Sequence, residues 1–124
     1  MQRRSRTNMD SKEMVKIAIN ALEEKKAENI RIIDISKVSV LADYFIIAEG
    51  KNRNQIQALT DSVEKDLGKA GVTPKQIEGY ESATWILMDY ADIIVHIFDN
   101  ENRLFYDLER IWRDGVCVEA NEFA

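Results

Sequence analysis

A chain of 124 residues that is 45% hydrophobic and 31% charged with a single proline has the size and apolar content of one folded domain, which excludes a disordered chain. A formal net charge of −5 disfavours direct, sequence-specific nucleic-acid binding and steers the domain towards basic partners. The lone Cys117 excludes a disulfide framework and a cysteine-based zinc site, and no apolar run approaches the length of a membrane span.

The opening MQRRSRTNM is basic, lacks the apolar stretch of a signal peptide and is expected to be a flexible tail over residues 1–9. Behind it an α/β domain is expected over 10–114, followed by a C-terminal tail over 115–124. Asp10 and Glu13 have the spacing of a capping box, and Met14, Val15, Ala18, Ile19 and Leu22 then recur at helical intervals, predicting a first helix. NIRIIDIS (29–36) and DYFIIAEG (43–50) are β-branched runs that predict two strands. Asn52 with Gln55 caps a second helix, whose Ile56, Leu59, Val63 and Leu67 form one stripe and whose end is marked by Gly71 and Pro74. A short extended piece near KQIEGY comes next, then two apolar runs within WILMDYADIIVHIF (85–98). NENRLFYDLERIW (100–112) places Leu104, Leu108 and Ile111 on one face of a third helix. The order α-β-β-α-β-β-β-α predicts a single-domain α/β fold: a mixed β-sheet flanked by helices that cover one of its faces.

Strand parity then divides WILMDYADIIVHIF into two faces, because successive side chains point to opposite sides of a sheet. With Tyr90-Ala91 as a two-residue hairpin loop, Asp89 lies opposite Asp92, Leu87 opposite Ile94 and Trp85 opposite His96. One face is aliphatic (Ile86, Met88, Ile93, Val95, Ile97) and reads as core. The other joins Trp85, Leu87, Ile94, His96 and Phe98 to Asp89 and Asp92, an aromatic centre with an acidic edge. That composition suits a protein interface and makes these seven residues the candidate partner-binding set. Tyr90-Ala91 is a poor pair for a primed turn, so a longer or bulged turn would shift the pairing. Blander roles compete for each residue: a lone histidine is more often a hydrogen-bonded structural residue than a ligand, strand-end aspartates are ordinarily turn formers, and Trp85 and Trp112 fit a core as well as a binding platform.

A metal-dependent nucleotidyl transferase would need closely set carboxylates and a phosphate cradle. EGKNRNQ (49–55) leads a strand into a helix N-terminus but matches neither a P-loop nor a dinucleotide fingerprint, and Asp34, Asp43, Asp89 and Asp92 form no tight motif. No Ser-His-Asp or Cys-His signature is present. No catalytic residue, metal or cofactor is therefore expected.

The blocks DISKVSVLADYFIIAEG, QIQALTDSV, IEGY, WILMDYADIIVHIF and NRLFYDLERIW together resemble the Iojap-related ribosomal silencing factors (RsfS) over about Met9 to Trp112. The resemblance rests on Asp34, Ser39, Ala42-Asp43-Tyr44, Gly50, Gln55, Asp61, Glu78-Gly79, Trp85, Asp89, Asp92, His96, Arg103, Tyr106, Leu108-Glu109 and Trp112. Ala91 stands where the family usually has glycine, and Asn52 replaces a common serine with another helix cap. The resemblance implies a nucleotidyltransferase-like topology without its catalytic residues. It further implies a translational repressor that binds the large ribosomal subunit through ribosomal protein fourteen and sterically blocks joining of the small subunit, mainly under nutrient limitation. Dimers of the free protein and a bacterial cytoplasmic setting are implied as well. The rival expectation is a divergent metal- and nucleotide-dependent transferase that kept the fold.

Overall fold

The computed structural model describes residues 10–37, 39–40, 42–100 and 116–118. The expected basic tail over 1–9 and the expected third helix, with Leu104, Leu108, Ile111 and Trp112, lie outside the described residues.

Helix α1 runs over Ser11–Glu24, started by Asp10, whose carboxylate accepts from the Glu13 amide at 2.9 Å. Strand β1 covers Glu28–Asp34 and β2 covers Tyr44–Gly50. Helix α2, Arg53–Lys69, begins where Asn52 accepts from the Gln55 amide at 2.8 Å, satisfying an amide that has no partner within the helix. Its end follows from Gly71, which sits at φ +88°. There the Gly71 amide donates to Gly68 O (3.0 Å) and the Val72 amide to Leu67 O (2.9 Å), the paired bonds of a Schellman stop, with Val72 and Leu67 both in the core below. Three strands follow: β3 (Gln76–Glu78), β4 (Trp85–Asp89) and β5 (Ile93–Asp99).

One further strand departs from expectation. Val116–Val118, expected within a C-terminal tail, forms β6 and pairs antiparallel with β1, Ile32 facing Val118 and Asp34 facing Val116. Three residues with two valines carry too short a signal to be distinguished from an irregular end by periodicity.

The six strands run in the order β3-β4-β5-β2-β1-β6. Neighbours are antiparallel except β2 and β5, which pair in parallel at the centre from Tyr44–Ile93 to Gly50–Asp99. The sheet is mixed, as the element order predicts. Helices α1 and α2 lie on one face. Met14, Val15, Ala18, Ile19 and Leu22 of α1 and Ile56, Leu59, Val63 and Leu67 of α2 join Ile46, Ile86, Met88, Ile93, Val95 and Ile97 in the main core cluster. The aliphatic face of β4 and β5 is thus core. Burying each of its large aliphatic side chains contributes about 1.5–3 kcal/mol.

Candidate functional site

The β4–β5 hairpin has the expected faces but a different register. Trp85 stands across from Phe98, Leu87 across from His96 and Asp89 across from Ile94. The expected Trp85–His96, Leu87–Ile94 and Asp89–Asp92 pairs do not form. A slip of two positions preserves parity, which is why the division into faces holds while every pair changes.

The turn explains the slip. Asp89 Oδ1 accepts from the Ala91 amide (2.8 Å), the Tyr90 amide donates to Ile93 O (3.0 Å), and the loop residues are therefore Ala91 and Asp92. The Asp92 amide also donates to Tyr90 O (2.8 Å), a γ-turn about Ala91, which takes φ +72°. That left-handed geometry favours glycine, the residue the resemblance puts there. Asp89 is thus a turn former, as its side chain supplies the bond that sets the loop. The Asp92 carbonyl accepts from the Asp43 amide (2.8 Å), tying the turn to the entry of β2.

On the face away from the helices, rows of side chains run across the strands. One row is Ile33, Phe45, Ile94 and Asp89; the next is Ile47, His96, Leu87 and Glu78; the last is Glu49, Phe98 and Trp85. Burial grades along these rows. Ile33, Ile47 and Phe98 are fully buried and His96 is 4% exposed, whereas Phe45, Trp85, Leu87, Ile94 and Asp89 are half-buried and Glu78 is exposed. His96 and Phe98, expected among the contact residues, therefore lie beneath the surface and act as its support.

The support is aromatic. Trp85 stacks on Phe98 with ring centres 5.5 Å apart and planes 23° from parallel, and Phe45 meets His96 edge to face at 4.9 Å. The Trp85 indole Nε1 donates to His96 Nδ1 at 3.1 Å. An indole nitrogen can only donate, so Nδ1 is the unprotonated nitrogen and the neutral ring carries its hydrogen on Nε2. Nε2 is buried without a hydrogen-bond partner among the described residues. Burial pushes the imidazole pKa from 6.5 down to about 4, so the ring is neutral at physiological pH and serves as an acceptor.

Two contributors to this surface were missed in the sequence. Phe45 alternates with Ile46 in an evenly hydrophobic strand, and its place beside His96 becomes visible only once β2 is known to neighbour β5. Glu78 stands across from Leu87 and takes a hydrogen bond from Gln76, giving the patch a second acidic margin besides Asp89. Among the described residues, no group of three or more His, Cys, Asp or Glu side chains is placed to hold a metal ion, and no helix is long and apolar enough to cross a membrane.

Fold and surface define the class: an α/β domain in which helices α1 and α2 are layered on a mixed sheet. Residues 8–123 match the family model described as "Ribosomal silencing factor during starvation", and the chain belongs to that family. It is 37% identical over 111 residues to the ribosomal silencing factor RsfS of Halalkalibacterium halodurans, spanning 90% of this chain and 95% of that protein. Identity to the RsfS of Bacillus subtilis is also 37%, over 113 residues, 91% of this chain and 96% of the relative. A crystal structure of a Chromobacterium violaceum protein is similar at a TM-score of 0.81 and 39% identity, covering 85% of this chain and 88% of that one. The family is one of regulatory proteins, not of enzymes.

Proposed function

We propose that the protein is a translational repressor of the bacterial cytoplasm that binds the large ribosomal subunit through ribosomal protein fourteen. Occupying that surface sterically blocks joining of the small subunit, chiefly when nutrients are limiting. Family membership supports the ribosome-directed silencing role. The observation that carries the finer reading is the half-buried patch of Trp85, Leu87, Ile94 and Phe45, edged by Asp89 and Glu78 on a chain of net charge −5. An aromatic centre with an acidic rim fits a basic protein surface, where apolar anchors give affinity and rim charges speed encounter. Asp92, half-buried in the turn beside Asp89, extends the acidic margin. Dimerisation of the free protein through this patch would compete with subunit binding.

The test is co-sedimentation with purified large subunits together with a subunit-joining assay. Trp85→Ala is expected to weaken binding by about 2 kcal/mol or more and to release the joining block. Val95→Ala, on the helix-covered face, leaves a core cavity and is expected to lower the thermal midpoint before it touches binding. Normal binding by a folded Trp85 variant would place the docking surface elsewhere.

A further inference from the structure

Trp85 is the first residue of β4, so the aim of its indole depends on residues 79 to 84, which deliver the chain from β3. That segment rests backbone on backbone against Trp85. Gly79 has φ +82°, and a Cβ there would collide with the Trp85 carbonyl oxygen. The segment closes on itself where the Ala83 amide donates to Gly79 O (2.9 Å), and its far end is tied to β5 by the Asp99 amide donating to Thr84 O (3.1 Å).

Helix α2 then reaches across from the other layer. Gln57 Nε2 donates to the Tyr80 carbonyl at 2.8 Å, and the Tyr80 hydroxyl donates across both Asp61 oxygens at 3.0 and 3.1 Å. Gln57 and Asp61 are four residues apart and so share one side of the helix. The Tyr80 ring packs half-buried against the main core. The hydrogen bond to Asp61, then slight burial and the charges of Asp61, Glu81 and Glu64, raise the phenol pKa above its ordinary value, so the hydroxyl remains a donor.

We propose that Tyr80, Asp61 and Gln57 form a clasp that holds Trp85 at its docking angle, which makes them positioning residues for partner binding. The inference rests on the docking reading above. Without the clasp, a six-residue connection held by the Ala83–Gly79 and Asp99–Thr84 backbone bonds alone samples several geometries over residues 79 to 84, and these reach the indole at its exit. Affinity falls with the fraction of molecules that present the competent geometry. The clasp raises that fraction without touching the partner, from a helix on the opposite side of the sheet.

The experiment uses the full chain labelled with ¹⁵N, with the Trp85 indole N–H resonance assigned from Trp85→Phe, and measures large-subunit affinity alongside. Tyr80→Phe keeps the ring and removes the hydroxyl. It is expected to shift or broaden the Trp85 indole resonance and to weaken binding about three- to tenfold, mainly through a slower association rate. Asp61→Ala is expected to do the same, Asp61→Asn to rescue because one acceptor oxygen remains, and the Tyr80→Phe/Asp61→Ala pair to be no worse than either alone. A Tyr80 variant that fails to fold leaves the Asp61→Ala and Asp61→Asn comparison to decide on the same two readouts. Unchanged binding in the folded variants overturns the clasp, and so does weakened binding with an unmoved indole resonance. Wild-type chain that does not bind large subunits defeats the docking reading instead, while the indole resonance still reports whether the clasp positions Trp85.

Discussion

His96 is the residue whose chemistry is most constrained by its surroundings. Its Nδ1 is committed to the Trp85 indole and its Nε2 is buried without a partner among the described residues, a combination that costs about 1–3 kcal/mol for the unmet donor and penalises a second proton further. The imidazole titrates near 6.5 when unfolded and near 4 when folded. Because the folded value is the lower one, the stability it contributes is complete above pH 6.5 and is lost as pH falls towards 4, by up to about 3 kcal/mol. Urea midpoints measured between pH 7.5 and 4.5 are expected to show this acid limb in the wild type. His96→Gln, which can still offer the indole an oxygen but cannot take up a proton, is expected to flatten it and to keep much of the repressor activity. An unaltered limb in that variant would assign the acid sensitivity to another group.

At the scale of elements, the β4–β5 hairpin shows how a local conformation governs a whole face. Ala91 holds φ +72°, a region that costs an L-residue about 1–2 kcal/mol per position. Ala91→Gly is expected to raise stability by about 0.5–1 kcal/mol after its extra unfolded-state entropy is subtracted, with binding unchanged. A loss of stability in thermal melts would mean that the turn does not resist its alanine. Much of the rest was legible in the sequence because each signal was local: the Asp10 and Asn52 caps, the Gly71 stop, the helical stripes and the alternation of β4 and β5. The hairpin register was not legible, since an alanine at a left-handed position hides the loop that a glycine would have announced. Nor could alternation reveal that His96 and Phe98 are buried while Trp85, Leu87 and Ile94 on the same face stay half-exposed; that gradation depends on which elements flank each strand. Phe45 was hidden for a related reason, because adjacency of β2 and β5 joins segments far apart in the chain. Strand β6 was too short to carry a pattern.

For the molecule as a whole, charge sets how fast a basic partner is met. Asp89→Asn combined with Asp92→Asn is expected to slow association with large subunits and to flatten its dependence on salt, with the dissociation rate little changed. Stopped-flow rates from low to physiological ionic strength would show this, and a salt response equal to wild type would remove the electrostatic part of the mechanism. The parallel pairing of β2 with β5 has a consequence of another kind. Every pair in it joins residues 49 positions apart, as Tyr44 to Ile93 (93 − 44 = 49) and Gly50 to Asp99. Closing so long a loop costs entropy before any contact repays it, so this pairing is expected to slow folding. Phe45 sits on β2, Trp85 and Leu87 on β4 and Ile94 on β5, so the patch has no existence until residues 93 to 99 have joined. On the proposed function, a chain that has not yet added β5 has no complete patch with which to grip a large subunit.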